Sequence, residues 1–366
     1  MPTGRRARRG HGGRSACDPG AAAVTGPDGD EAVREAARGY RSGSRPDLGR
    51  PGPGRPGTAR VYRPGAEVVV GDEPPGTRRE EGRMRTLTMP TVELPAGQQI
   101  PALGQGTWGL GEDPAYHDEE VAALRTGLDL EMTVVDTAEM YGDGAAEQLV
   151  GDAVFDRRDD AFIVTKVLPS HAGRPDTLRA CEASLHRLRT DYIDLYLLHW
   201  PGPVPLDETV DAFTVLQDQG KIRFWGVSNF DGVDLMELTA VQDGGAVQTD
   251  QVLYNLVHRG IEWDLLPACQ RDGPLIMAYS PFDHRGTVLR HPAVAAVADR
   301  HGVTPAQVAI TWVLRQDGVT TIPKASTPEH TRENHGALAV RLDLEDYAVL
   351  DRAFPPPDGP RPLEMI

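Results

Sequence analysis

The amino-acid sequence predicts an α/β fold, a (β/α)8 TIM barrel over residues 84–366, from three observations. Apolar strand-like segments alternate with helix-like segments from about Thr86 onwards. Eight such units in about 250 residues is the size expected of this barrel. Proline stands in the first turn of several helical segments, where it favours a helix start. A doubly wound parallel sheet alternates in the same way, so periodicity alone does not exclude it.

The elements follow one another in a simple order. Residues 91–103, TVELPAGQQIPAL, predict an N-terminal β-hairpin around a Pro-Ala-Gly turn. The eight strands are predicted at 103–106, 133–136, 162–165, 192–197, 222–227, 247–250, 275–278 and 319–322. Helices are predicted between them, for instance at Pro175–Leu188, Asp207–Gln219 and Pro305–Gln316.

Residues 1–83 differ in composition from the rest of the chain. They contain 17 Gly and 10 Pro, with stretches such as RPDLGRPGPGRPGTAR. Such a composition buries too little apolar surface to fold, so we expect a disordered Gly/Pro/Arg-rich tail before the barrel of residues 84–366. Two other interpretations stay open. The tail is a basic segment that binds an anionic surface, or translation begins at Met84 or Met89 and the tail is a mis-assigned start.

Charge and cysteine content exclude several classes of protein. Residues 1–83 carry 16 Arg and 11 acidic residues, a net of +5, whereas residues 84–366 carry 22 basic and 43 acidic residues, a net of −21. The negative charge of residues 84–366 repels the phosphate backbone of a nucleic acid, so we expect no nucleic-acid partner. There is no run of 18 apolar residues, which predicts no membrane span. Three cysteines without paired or metal-like spacing predict no disulfide and no metal site. We also expect the protein to be a cytoplasmic monomer.

Polar and titratable side chains collect at the ends of the predicted strands, which is where barrel enzymes build their active sites. Lys166 is the most informative, because the chain has only three lysines against 35 arginines and this one ends a buried strand. The strand ends carry Thr107, Trp108, Asp136, Tyr141, Lys166, His199, Trp200, Ser228, Asn229, Gln251, Tyr279 and Lys324.

Four of these residues form a chemical unit. A tyrosine hydroxyl has a pKa near 10, too high for efficient proton donation at neutral pH. A nearby ammonium, Lys166, is expected to lower the pKa of Tyr141, and Asp136 to compensate and hold that ammonium. His199 adds a hydrogen-bond donor for a carbonyl oxygen. Singly, Asp136 could be a helix N-cap, Tyr141 a loop aromatic and His199 a core residue. Together they suit protonation of a carbonyl oxygen beside a nicotinamide hydride donor.

Seven segments, among them DTAEMYG (136–142), VTKV (164–167) and LLHWP (197–201), resemble, in order and across about residues 86–354, those of the aldo-keto reductase superfamily. The whole pattern is most similar to prokaryotic methylglyoxal and 2,5-diketo-gluconate reductase-like members. The resemblance implies a barrel that binds NADPH without a Rossmann domain, with Asp136, Tyr141, Lys166 and His199 as catalytic residues. The segments are DTAEMYG (136–142), VTKV (164–167), LLHWP (197–201), GVSNF (226–230), QVLYN (251–255), AYSPF (278–282) and IPKAS (322–326).

The resemblance also implies the binding residues. Tyr279 would stack on the nicotinamide, and Ser228, Asn229 and Gln251 would bind its carboxamide. The phosphates are expected around Ser280–Arg285 and Lys324–Ser326. The adenine is expected at Glu333 and Asn334, and the substrate against Trp108, Trp200 and His199.

One position departs from the family pattern. Close relatives carry an arginine six residues after the lysine corresponding to Lys324, and here that position is His330. A neutral imidazole offers a 2′-phosphate less than a guanidinium does. Arg332 lies about 200° away around a helix and is not expected to replace it. We therefore expect a weakened preference for NADPH, with some use of NADH.

The glycine spacing Gly104-x-Gly106-x-x-Gly109 fits a dinucleotide-binding loop, but it follows a hairpin and is better interpreted as the first barrel strand. A short-chain dehydrogenase needs Tyr-x-x-x-Lys, which the sequence lacks. Two hypotheses remain beside carbonyl reduction: Schiff-base catalysis by Lys166 and a cofactor-binding redox sensor or regulatory subunit with little turnover. The short segments after His199 and Phe354 predict a shallow pocket for small aldehydes, ketoaldehydes or diketones.

Overall fold

The structure is a computed structural model that describes residues 88–366. The expectations for residues 1–83 therefore lie outside the described residues. Among the helices of residues 88–366, none is both long and apolar enough to cross a membrane.

A two-stranded hairpin precedes the barrel and covers the end at which the barrel strands begin. Strand β1 (Thr91–Glu93) pairs antiparallel with β2 (Gln99–Pro101). Leu94 and Ile100 from the hairpin pack into the apolar cluster that fills the barrel interior. The amide of Ala96 donates to Oε1 of Gln248 at 2.8 Å, which ties the turn to the barrel. The predicted hairpin is confirmed.

Eight parallel strands form the barrel wall, in sheet order β10-β9-β8-β7-β6-β5-β4-β3. Parallel bridges from Leu103 to Thr321 and from Gly106 to Lys324 join the first and last of these strands and close the ring. The predicted (β/α)8 barrel is therefore confirmed. The strands are β3 (Gln105–Gly106), β4 (Val134–Asp136), β5 (Phe162–Val167), β6 (Ile193–Leu198), β7 (Ile222–Ser228), β8 (Thr249–Leu253), β9 (Leu275–Tyr279) and β10 (Val319–Thr321).

Ten α-helices pack outside the strands within residues 88–366. Proline stands in the first turn of several of them, and side-chain caps support some of these as well, such as the capping box of Thr304 and Gln307. The helices are α1 (His117–Asp129), α2 (Ala145–Val154), α3 (Arg174–Leu188), α4 (Leu206–Asp218), α5 (Gly232–Ala240), α6 (Leu265–Asp272), α7 (Pro292–His301), α8 (Pro305–Val313), α9 (Pro328–Gly336) and α10 (Leu344–Ala353).

Several strand boundaries differ from the predicted ones. Strand β7 includes Ser228 and β9 includes Tyr279, and two further differences concern the site. Strand β5 continues past residue 165, because Lys166 pairs with Leu197 and Val167 with Leu198. Strand β8 begins at Thr249 and continues to Leu253, so Gln251 lies inside the strand rather than after it. Pairing with the neighbouring strands sets both boundaries, which local sequence could not show.

Candidate active site

The two-residue alternation of the strands brings the site residues to one end of the barrel interior. In β5, Phe162 and Val164 belong to the interior apolar cluster, and Lys166 follows on the same face. The same spacing brings up Asp136 after Val134, His199 after Leu197 and Tyr279 after Met277.

Lys166 is the centre of a buried hydrogen-bond network. Its side chain has no exposed surface, and Nζ donates to Asp136 Oδ2 at 2.8 Å and to the Thr137 carbonyl at 2.8 Å. Nζ also lies 3.1 Å from the hydroxyl oxygen of Tyr141. The second oxygen of Asp136 accepts from Nε2 of Gln251 at 2.7 Å. Three oxygen acceptors thus satisfy the three donors of the ammonium.

Burial dominates the proton affinities in this network. It raises the pKa of Asp136 and lowers the pKa of Lys166, while the attraction between the two groups acts the other way on each. Burial, reinforced by the charge of Asp136, also raises the pKa of Tyr141 well above its usual value. The expectation that Lys166 lowers the pKa of Tyr141 is therefore wrong for this structure. Desolvation sets the direction of the shift.

His199 lies beside this network as a neutral imidazole. Burial, with the nearby charge of Lys166, lowers the pKa of His199 well below its usual value. Its ring meets the Tyr141 ring edge-on, with centroids 5.8 Å apart, and lies 4.9 Å from the ring of Trp200. Its Nδ1 is buried and has no hydrogen-bond partner among the described residues. A neutral imidazole carries one N–H, so His199 can offer one donor to a ligand.

A second set of side chains braces the opposite wall. The Tyr279 hydroxyl donates to Asn229 Oδ1 at 2.9 Å, and Asn229 Nδ2 donates to the His199 carbonyl at 3.1 Å and lies 3.0 Å from Ser228 Oγ. Ser228 Oγ in turn donates to the Gln251 carbonyl at 2.8 Å. Asn229 has φ +61°, a left-handed conformation that asparagine tolerates better than most residues. Many of the hydrogen-bonding groups of Ser228, Asn229 and Tyr279 therefore bind one another and hold this wall of the cleft together.

The predicted phosphate and adenine residues extend away from this centre. Lys324 is exposed at the cleft, and its charge helps to stabilise the carboxylate of Glu120. Ser326, His330, Glu333 and Asn334 follow on the next loop and on α9, outside the lining of the cleft. His330 is exposed, whereas Asn334 is 3% exposed and its Nδ2 has no partner in the described part of the chain.

These groups surround a cleft of about 850 Å³ at the carboxyl ends of the strands. Trp108, at 36% exposure, stacks on His284 with ring centroids 5.3 Å apart at the cleft edge. Met365 and Ile366 also line the cleft, so the short C-terminal segment contributes to its wall. The predicted residues in the lining are Thr107, Trp108, Asp136, Tyr141, His199, Trp200, Ser228, Asn229, Gln251, Tyr279, Ser280 and Lys324.

Sequence reasoning missed several residues of the lining. Met140, Glu112 and Asp143 come from loops whose path follows only from the packing of the barrel. Leu289 lies just beyond the predicted phosphate segment Ser280–Arg285. The apolar pair Met365 and Ile366 had no local signal, because its position depends on Leu363 being buried against the barrel.

Fold and site together define a (β/α)8-barrel oxidoreductase whose cofactor cleft lies at the carboxyl ends of the strands. Residues 102–354 match the model of the Aldo/keto reductase family. The chain belongs to the aldo/keto reductase family.

Individual relatives agree with this assignment. The chain is 47% identical over 279 residues to methylglyoxal reductase YeaE of Escherichia coli (strain K12), covering 75% of this chain and 98% of that protein. It is 31% identical over 257 residues to methylglyoxal reductase DkgB of Salmonella typhi, covering 68% and 90%. A crystal structure of a Klebsiella pneumoniae aldo/keto reductase with NADP and acetate matches at TM-score 0.74 and 47% identity, covering 76% of this chain and 100% of that one.

Proposed function

We propose that this protein reduces small aldehydes, ketoaldehydes or diketones to alcohols with NADPH, and that Tyr141 donates the proton. The observation that carries the proposal is the hydrogen bond from fully buried Lys166 to the Tyr141 hydroxyl, with Asp136 on the other side of the ammonium. The relatives are methylglyoxal reductases, which supports methylglyoxal and similar dicarbonyls as the substrate class.

The proton chemistry follows from the chain's own residues. Burial raises the pKa of Tyr141, so the phenol stays protonated and its proton transfer depends on the stabilisation that Lys166 gives the phenolate as it forms. As that proton moves to the carbonyl oxygen, negative charge develops on the phenol oxygen, 3.1 Å from Lys166 Nζ. The ammonium stabilises this charge at no reorganisation cost, because its position is already fixed. Neutral His199 offers its single N–H to the same carbonyl oxygen.

The residues present fit NADPH. Asn334 keeps a buried, unpartnered amide Nδ2, which is costly unless a ligand accepts a hydrogen bond from it. Exposed Lys324 can bind phosphate, and Ser280 and Ser326 offer hydroxyls near that end. The amide nitrogen of Gln251 donates to Asp136, and its amide oxygen can accept a hydrogen bond from a carboxamide. When bound, NADPH supplies the hydride that the carbonyl carbon receives.

We further propose that the enzyme acts as a cytoplasmic monomer. The described chain alone supplies every residue of the proposed site. Cys181 and Cys269 are free and buried, and burial raises the pKa of each thiol to about 12, consistent with unreactive thiols in a reducing compartment. The acidic body supports the absence of a nucleic-acid partner.

The test is NADPH oxidation at 340 nm against a panel of neutral aldehydes and dicarbonyls, with the wild-type protein and Tyr141→Phe. We expect the substitution to lower kcat by about 10²- to 10⁴-fold, the usual contribution of a positioned proton donor. NADPH affinity should change little, because Lys166 keeps its contacts with Asp136 and Thr137.

Three outcomes would contradict parts of this proposal. Near-normal turnover by Tyr141→Phe would show that another group donates the proton. Tight NADPH binding without reduction of any carbonyl would favour a redox sensor. Borohydride trapping of a substrate adduct on Lys166 would favour Schiff-base chemistry.

A further inference from the structure

Two carboxylates lie at the mouth of the cleft on the side of Tyr141. Glu112 belongs to the loop after β3 and Asp143 to the loop after β4, and both are exposed and line the cleft. A Cβ added to Gly142 would lie 3.1 Å from Glu112 Cγ and 4.0 Å from its Oε1. The Glu112 side chain therefore lies against the backbone between Tyr141 and Asp143.

Neither carboxylate is neutralised locally. Glu112 and Asp143 form no ion pair or side-chain hydrogen bond within residues 88–366. By contrast, Asp283 at the same cleft contacts His258 and accepts from the Thr287 hydroxyl. Among the residues that line the cleft, Lys324 is the one lysine or arginine, and it belongs to the predicted phosphate end.

The loop geometry holds Asp143 close to the residue proposed to donate the proton. Gly142 and Asp143 have φ of +55° and +52°, so the chain turns back immediately after Tyr141. A substrate that places its carbonyl at Tyr141 therefore lies close to this turn. An anionic substituent on the substrate would meet two like charges there, whereas the nearby cations are already paired, Arg187 with Glu147 and Lys166 with Asp136.

Resting on the proposed function, we propose that Glu112 and Asp143 are specificity-determining residues that select uncharged carbonyl substrates over keto acids and other anionic aldehydes. They act by repulsion rather than by binding, a form of discrimination against the unwanted ligand. Because the pair is exposed, the effect of each charge is modest and screened by salt.

The test uses aldehydes of matched shape and different charge. We expect wild-type kcat/KM to be about 10-fold or more higher for 4-formylbenzamide than for 4-carboxybenzaldehyde at low ionic strength. In Glu112→Gln/Asp143→Asn this ratio should fall about five- to tenfold, chiefly because the acid improves. The wild-type ratio should also shrink between 20 and 500 mM salt, and the variant's ratio should be nearly independent of salt.

Asp118→Asn/Glu119→Gln is the matched control. It removes the same charge from exposed positions on α1 that do not line the cleft. We expect this control to keep the wild-type ratio and its salt dependence. If Glu112 and Asp143 had a purely structural role, their substitution would lower the activities with both aldehydes together. The ratio of the two activities would then not depend on salt.

The outcomes separate this inference from the proposed function. If wild-type protein reduces neither aldehyde nor methylglyoxal, the proposed function fails. If it reduces the amide but shows a ratio near one, or a ratio that Glu112→Gln/Asp143→Asn leaves unchanged, the reductase stands and the charge-selection inference is overturned.

Discussion

The two ends of the cleft differ in how firmly their charged side chains are held. At the Tyr141 end, Lys166 has no exposed surface and three oxygen partners. At the predicted phosphate end, Lys324 and His330 are both exposed, and both follow β10 in the chain. A fixed charge can stabilise a transition state because it needs no rearrangement. An exposed charged residue contributes to ligand affinity and can be replaced during evolution with little loss of stability. The exposed end is also where this chain departs from the family pattern, at His330.

Replacing the buried lysine should produce the largest effect. In Lys166→Met the phenol loses the ammonium that stabilises its anion, and we expect kcat/KM to fall about 10³-fold. The free energy of unfolding should fall by about 3–5 kcal/mol, because Asp136 is left buried without its partner. Steady-state kinetics and urea denaturation measure the two effects.

The variant Lys166→Met/Asp136→Asn separates chemistry from stability. It removes both charges and lets the asparagine oxygen still accept from Gln251. We expect it to recover most of the lost unfolding free energy and none of the lost activity. Recovery of activity along with stability would show that the ammonium has a structural role only, and the contrast between the two ends would disappear.

The sequence indicated the deep end of the cleft well because alternation along buried strands is a local pattern. Lys166 could be singled out since a buried lysine at a strand end has few structural explanations, and the strand order then brought Asp136 and His199 to the same rim. The direction of the Tyr141 pKa could not be predicted in this way. It depends on how much water the folded site excludes from the phenol.

The cleft mouth was the least predictable region. Glu112 and Asp143 lie in irregular loops without periodicity, and Met365 and Ile366 reach the cleft only because Leu363 is buried against the barrel. Such long-range packing leaves no mark on a single sequence. The strand boundaries at Lys166 and Gln251 had the same origin, since pairing with neighbouring strands sets them.

An intermediate effect is expected from the exposed lysine. Lys324→Ala should raise the KM for NADPH about 10-fold or more, the usual contribution of a hydrogen bond to a charged group, and lower kcat much less. Lys221→Ala is the matched control, because Lys221 pairs with Glu182 on the outside of the barrel. An equal fall in kcat for Lys324→Ala would place this lysine in the chemical step and contradict the division of the cleft into two ends.

The smallest and most selective effect is expected at His330. In His330→Arg, a guanidinium can form paired hydrogen bonds with a phosphate, so the ratio of kcat/KM for NADPH to that for NADH should rise about three- to tenfold. Arg332→Gln is the control, because Arg332 is exposed on α9 about 200° from His330. An unchanged cofactor ratio in His330→Arg would remove His330 from the phosphate site. Specificity for the 2′-phosphate would then rest on Lys324 and Ser326. The exposed end of the cleft would then tolerate as little change in its charged residues as the buried end does.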